Sequence, residues 1–121
     1  MQARQSNPDL QSIQEKIVAK RFDDALVDLA SILDSHEENI EALYMTAVCR
    51  RYLGDFDQAL AVIARLKSLA PEYGRAEQEE GHAYRDMGQA DNALAAYARA
   101  CRFNPALEAS WRGQLKILTD K

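Results

Sequence analysis

Residues 81–105, GHAYRDMGQADNALAAYARACRFNP, decide the fold. At helical spacing they predict a short helix ending near Met87, a turn at Gly88 and a second helix from about Ala90 to Phe103. The small residues Gly81, Ala93 and Ala100 stand where two helices have to approach closely, with Tyr84 and Tyr97 as the bulk beside them. Pro105 stops the second helix, because it lacks an N–H and its ring clashes with the preceding turn. One hairpin of this size buries too little apolar surface to fold alone and requires copies of itself.

The copies lie upstream. A step of 34 residues back from Gly88, Ala93 and Pro105 lands on Gly54, Ala59 and Pro71. A second step from Ala59 lands on Ala25, with Phe22 matching Phe56. The blocks 6–39, 40–73 and 74–107 therefore align without insertion or deletion, over about 102 of 121 residues. In this period and these residues the chain resembles the tetratricopeptide repeat (TPR) family. The family's small residue at position 8 is Ala47 and Gly81, with a larger Ile13 in the first block, and its alanine at position 20 is Ala25, Ala59 and Ala93. The aromatic at position 17 is Phe22 and Phe56, position 27 holds Ile32, Leu66 and Ala100, and the proline at position 32 is Pro71 and Pro105. The resemblance implies an all-α fold, an α-solenoid of three TPR helix-turn-helix repeats plus a C-terminal capping helix at about 107–119. That makes seven helices in a single TPR domain spanning 1–121.

Composition agrees with a small packed domain. Hydrophobic residues make up 47% and charged residues 28%, ordinary values for a soluble protein. The net charge of −4 argues against nucleic acid as a partner, since phosphate binding needs clustered Lys and Arg. No apolar run has the length of a membrane span and no signal peptide is visible, so the expected location is cytoplasmic. Cys49 and Cys101 fall inside predicted helices and read as small buried fillers with reduced thiols.

Ser6 or Asn7 can cap the first helix, with Pro8 at its first position and Asp9 near the positive end of its dipole. The first block has Lys20 where the turn glycine stands in the others, and Glu37 where they have proline. In the third block Glu77 and Glu80 occupy positions 4 and 7, where an aromatic and a leucine are usual in the family. A partly buried pair between Glu80 and Arg50 is one account of that departure, and a Glu80 that reaches solvent is the other. After Pro105, Trp111, Leu115 and Leu118 form an apolar stripe. They belong either to a solvating end helix or to the first half of a further repeat. As a cap, Trp111 is expected to cover the third hairpin, and Trp111→Ala to cost roughly 3–5 kcal/mol.

No catalytic constellation is present. His36 and His82 have no Cys or second His at metal-ligand spacing, so no metal and no cofactor is expected. His82 and Asp86 share a helix face, which reads as a structural or groove contact. Neither a phosphate-cradling GxxxxGK nor a GxSxG turn occurs. The chain is not expected to be an enzyme.

What the resemblance implies instead is a surface. In TPR proteins positions 2, 5, 9, 12 and 13 of each repeat line a concave peptide-binding groove. Carried over, they give Gln14, Ile17 and Val18; Glu41, Tyr44, Val48, Arg51 and Tyr52; Arg75, Gln78, His82, Arg85 and Asp86; and Arg112 and Lys116. Tyr44, Val48, Arg51, Tyr52, Arg75, Gln78, His82, Arg85 and Arg112 are the candidate site. Tyrosine offers flat contact area with a polar tip, and arginine forks onto carboxylates. The alternative for Tyr44 and Tyr52 is packing between repeats. One TPR subclass grips the acidic tails of heat-shock chaperones; its clamp positions here are Leu10, Gln14, Met45, Arg75 and Glu79, of which only Arg75 fits, so no such clamp is expected. The leading expectation is a non-catalytic scaffold that binds a protein or peptide, with no nucleic acid or membrane partner. The runs YGRAEQEEGHAYRDMG and RACRFNPALEASWR also resemble repeats that precede a sulfotransferase domain in some bacterial proteins, which implies a substrate-docking or regulatory part of a larger enzyme. Self-association through the end helix is a third expectation.

Overall fold

The computed structural model describes residues 9–120, in which seven α-helices follow one another and no strand occurs. They are α1 (Leu10–Val18), α2 (Phe22–Ser35), α3 (Ile40–Tyr52), α4 (Phe56–Leu69), α5 (Gly74–Asp86), α6 (Ala90–Phe103) and α7 (Glu108–Thr119). The chain gathers into two compact units that divide inside α4, between Val62 and Ile63. No helix among the described residues is long and apolar enough to cross a membrane.

In the first unit Asp9 caps α1, its carboxylate accepting the Ser12 N–H at 2.6 Å. The expected cap residues Ser6 and Asn7, with Pro8, lie outside the described residues. Ile13 of α1, Ala25, Leu29 and Ile32 of α2, and Ala42, Met45 and Cys49 of α3 form the core. Each set falls on one helical face, at spacings of three and four. Asn39 caps α3, accepting from the Ala42 N–H at 2.9 Å.

The turns that close α1, α3 and α5 are built alike. Lys20, Gly54 and Gly88 stand at φ of 64°, 79° and 80°. In each turn the next N–H reaches back 2.8 Å to a helix carbonyl, that of Lys16, Arg50 or Tyr84. Glycine takes this left-handed conformation freely, whereas Lys20 bears about 1 kcal/mol of strain to make the same turn.

In the second unit the buried residues include Ile63 and Leu66 of α4, Ala76 and Ala83 of α5, Ala93, Ala96, Tyr97, Ala100 and Cys101 of α6, and Ile117 of α7. Among the described residues Tyr97 is the largest fully buried side chain. A Cβ placed on Gly81 of α5 or on Gly113 of α7 would stand 2.6 Å from its ring. Burying a ring of this size contributes roughly 4 kcal/mol before entropy is counted. The two glycines are what let α5 and α7 close on it.

Gly113 also explains a correction. In the repeat register Ala42, Met45 and Cys49 of α3 correspond to Ser110, Gly113 and Ile117 of α7. In α3 these positions pack on the preceding hairpin, and in α7 Ser110 and Ile117 are buried and Gly113 meets Tyr97. The stripe expected to cap the hairpin is therefore turned outward, with Trp111 52%, Leu115 63% and Leu118 58% exposed. The Trp111 indole donates to the Pro105 carbonyl at 2.9 Å, a local bond. Trp111→Ala is accordingly worth about 1–2 kcal/mol, not the roughly 3–5 kcal/mol of a core tryptophan.

Gly113→Ala tests this packing. Alanine favours a helix over glycine by about 0.8–1 kcal/mol, yet the substitution is expected to destabilise by roughly 1–3 kcal/mol because its methyl enters the Tyr97 ring. In a Tyr97→Leu background it should become neutral or stabilising. Equal urea-denaturation effects in both backgrounds would contradict the packing.

Candidate functional site

In the first unit the candidate residues split between core and surface. Tyr44 packs against the Ile13–Leu29 cluster and is half-buried, as is Val48. Arg51, expected at the surface, is only 8% exposed, and its guanidinium lies 4.4 Å from the centre of the Tyr52 ring. Tyr52, the last residue of α3, is by contrast 57% exposed, and it stacks on Phe22 with centroids 4.9 Å apart and planes within 4°. Stacking and the arginine hold the ring in one orientation. With Ile17, Val18, Lys20 and Phe22 it lines a mostly apolar cleft of about 390 Å³. Val18, the last residue of α1, is 72% exposed at its edge.

In the second unit α5 and α7 frame a different cleft, about 480 Å³, lined by His82, Arg85, Ala109, Arg112, Gly113 and Lys116. His82 Nδ1 lies 2.7 Å from the Tyr97 hydroxyl and 3.3 Å from an Arg85 nitrogen. Either tautomer of the ring satisfies the Tyr97 contact, since a tyrosine hydroxyl can both donate and accept. Arg85 also pairs with Asp86 at 2.9 Å, Arg112 with Glu108 at 3.2 Å and Lys116 with Asp120 at 3.2 Å. Gln78 serves the packing: its side-chain oxygen accepts from Ser110 Oγ at 2.8 Å, joining α5 to the buried face of α7. Arg75 is half-buried near the start of α5.

The two acidic departures in α5 belong to the interior of this unit. Glu77, 2% exposed, accepts from Arg99 Nε at 2.9 Å and lies 3.4 Å from Lys67 Nζ. Glu80 accepts from Lys67 at 2.7 Å and lies 3.6 Å from Arg99. Two acids and two bases thus tie α4, α5 and α6 together. The pair anticipated between Glu80 and Arg50 is replaced on both sides, since Arg50 meets Asp55 at 3.2 Å. Burial alone would lower the pKa of Lys67, but its hydrogen bond to Glu80 and the charges of Glu80 and Glu77 raise it above the ordinary lysine value.

Cys49 and Cys101 are buried and unbridged. Burial raises the Cys101 pKa, opposed by the Gln114 amide, which donates to its sulfur at 3.1 Å. Such a thiol is a poor nucleophile. Among the described residues no group of three or more His, Cys, Asp or Glu comes together as a metal site.

Two family profiles, both described as tetratricopeptide repeat, match residues 18–78 and 78–107. The chain belongs to the tetratricopeptide repeat family. Solved TPR structures share its all-α solenoid fold at low sequence identity. The first TPR domain of human RPAP3 superposes with a TM-score of 0.83 at 17% identity, covering 90% of this chain and 86% of that one. The first TPR of Spaghetti (RPAP3), bound to the HSP90 peptide SRMEEVD, gives 0.81 at 17%, covering 91% and 87%. The Arabidopsis OM64 TPR domain gives 0.80 at 14%, covering 88% of each chain. No curated protein sequence matches this TPR chain.

The acid–base cluster yields a pH prediction. A folded-state pKa above the unfolded one means that the Lys67 contribution is complete below the ordinary lysine value and lost as pH rises through the higher folded value. Lys67→Met is expected to destabilise by roughly 1–3 kcal/mol at neutral pH. Urea denaturation should show that deficit constant from about pH 7 to 9 and shrinking above about 10.4. A deficit that grows at alkaline pH would contradict the ion-pair account.

Proposed function

We propose that this TPR chain is a non-catalytic docking module for a peptide or protein segment. The observation that carries the reading is the apolar cleft beside Tyr52. A tyrosine more than half exposed, clamped between Phe22 and Arg51, stands next to an exposed Val18 at a mouth of about 390 Å³. Exposed apolar groups held rigid lose little freedom when a partner side chain arrives, which is what a binding anchor requires. Within the first unit, the face of α3 that supplies Tyr44 and Val48 extends this contact surface. Within the second, the face of α5 that supplies Arg75, Gln78, His82 and Arg85 offers another. The peptide held by the Spaghetti domain supports peptide docking as a role for this fold. The residues at the chaperone-tail clamp positions argue for a different ligand here. If the chain serves as the docking part of a longer sulfotransferase-like protein, the same faces would receive that enzyme's protein substrate.

A second reading is self-association through α7, favoured by the outward stripe of Trp111, Leu115 and Leu118. Light scattering would then give a dimer for the wild type and a monomer for Leu118→Asp.

The docking reading is tested by selecting peptides from a displayed random library on the immobilised chain. Enriched peptides carrying an aromatic or aliphatic anchor are expected. Val18→Lys, which leaves the core untouched, should weaken them at least about tenfold. A library that enriches nothing over background would contradict the reading.

A further inference from the structure

Lys20 holds a backbone conformation that its residue type disfavours. It stands at φ 64°, where the matching turns have Gly54 and Gly88 at 79° and 80°. Glycine would make the same turn without strain, so a lysine kept there needs a reason in its side chain. That side chain lines the cleft beside Tyr52, with Ile17, Val18 and Phe22 as the apolar wall. The other cations around this turn are engaged, Lys16 with Asp28 and Arg21 with Asp24. Among the described residues Lys20 joins no ion pair, and it is exposed. The cleft is therefore an apolar recess with one uncommitted ammonium in its lining.

This constellation occurs once. In the step of 34, Val18, Lys20, Phe22 and Tyr52 correspond to Tyr52, Gly54, Phe56 and Asp86, and then to Asp86, Gly88, Ala90 and Asp120. The first set joins a cation to an apolar wall, whereas the later sets carry acids and no base. Packing common to all the hairpins does not account for it. None of the chaperone-clamp positions lines this cleft, which lies where α1 and α3 end and α2 begins.

From this geometry we infer that the Tyr52 cleft selects a segment of the partner protein in which an aliphatic or aromatic anchor has a carboxylate beside it, and that Lys20 reads the carboxylate. The apolar wall takes the anchor, and the ammonium, a point charge on a flexible stem, donates to the adjacent Asp or Glu. A Lys or Arg beside the anchor would meet a like charge. The inference rests on the docking reading and sharpens it by naming a specificity-determining residue.

It is tested by selecting the random peptide library in parallel on the wild-type chain, Lys20→Gly and Lys20→Arg. Glycine removes the side chain and relaxes the turn, so Lys20→Gly is expected to melt at or above the wild-type temperature. A lower melting temperature would give Lys20 a structural role, such as serving the negative end of the α1 dipole, and would overturn the inference. Wild-type-selected peptides are expected to carry Asp or Glu beside the anchor at least about three times as often as the unselected library. Lys20→Gly should enrich the same anchors without that preference, and Lys20→Arg should keep it. In fluorescence anisotropy at about 50 mM salt, Lys20→Gly is expected to weaken a wild-type-selected peptide about three- to tenfold, a loss that shrinks at about 500 mM salt. The analogue with Gln in place of the acid should change by less than about twofold, as should both peptides on Arg102→Ala, which removes an exposed charge elsewhere. Anchored peptides with no acidic preference, or one unchanged in Lys20→Gly, would overturn the inference and leave the docking reading in place. A basic preference beside the anchor, or a wild-type dimer that Val18→Lys dissociates in light scattering, would overturn it by seating another occupant there. A library that enriches nothing would end both.

Discussion

The ring of Tyr97 sets the distance between three helices. Gly81 brings α5 against one side and Gly113 brings α7 against the other, each so close that a single methyl would collide. Because the ring is fully buried, its hydroxyl needs a partner, and it finds one in His82 Nδ1 at 2.7 Å. One constraint therefore does two things. It packs the second unit, and it holds the His82 ring at the edge of the cleft that α5 and α7 frame.

The same constraint decides which side of α7 meets solvent. A helix that must present glycine to Tyr97 also presents Ser110 and Ile117 inward, and it cannot bury Trp111, Leu115 and Leu118 at the same time. In the repeat register the outward stripe occupies the positions of Glu77, Gly81 and Tyr84 in α5. There Glu77 bonds Arg99 and Gly81 meets Tyr97, both from α6. The stripe is thus the face that a following helix would cover, which gives its exposure a geometric origin.

Much of this is legible in the residues themselves. The step of 34 residues locates the turns, and the glycines at 54 and 88 announce their left-handed geometry. The alanines at 25, 59 and 93 are all fully buried. Lys20 is readable as a departure, but not that a backbone bond to Lys16 holds the turn despite it. Trp111 misleads because an apolar stripe at helical spacing looks alike whether it faces core or solvent. The small residue that corrects it, Gly113, carries no apolar signal of its own. Register alone assigns Arg51 and Gln78 to the surface, and register does not say that one lies buried against an aromatic ring and the other is bonded to Ser110. Glu80 does form an ion pair, but its base, Lys67, sits on the helix before it and not on the first helix of the preceding block, where Arg50 stands.

Both surfaces proposed for docking depend on side chains whose backs are fixed by the core. Tyr52 is held by Phe22 and Arg51, and His82 by Tyr97. The most direct test of that dependence is a nuclear Overhauser spectrum of the labelled chain. Strong cross-peaks are predicted from the Tyr97 ring protons to the Hα protons of both Gly81 and Gly113. A ring that contacts only one of the two glycines, or neither, would contradict the packing on which the cleft rests.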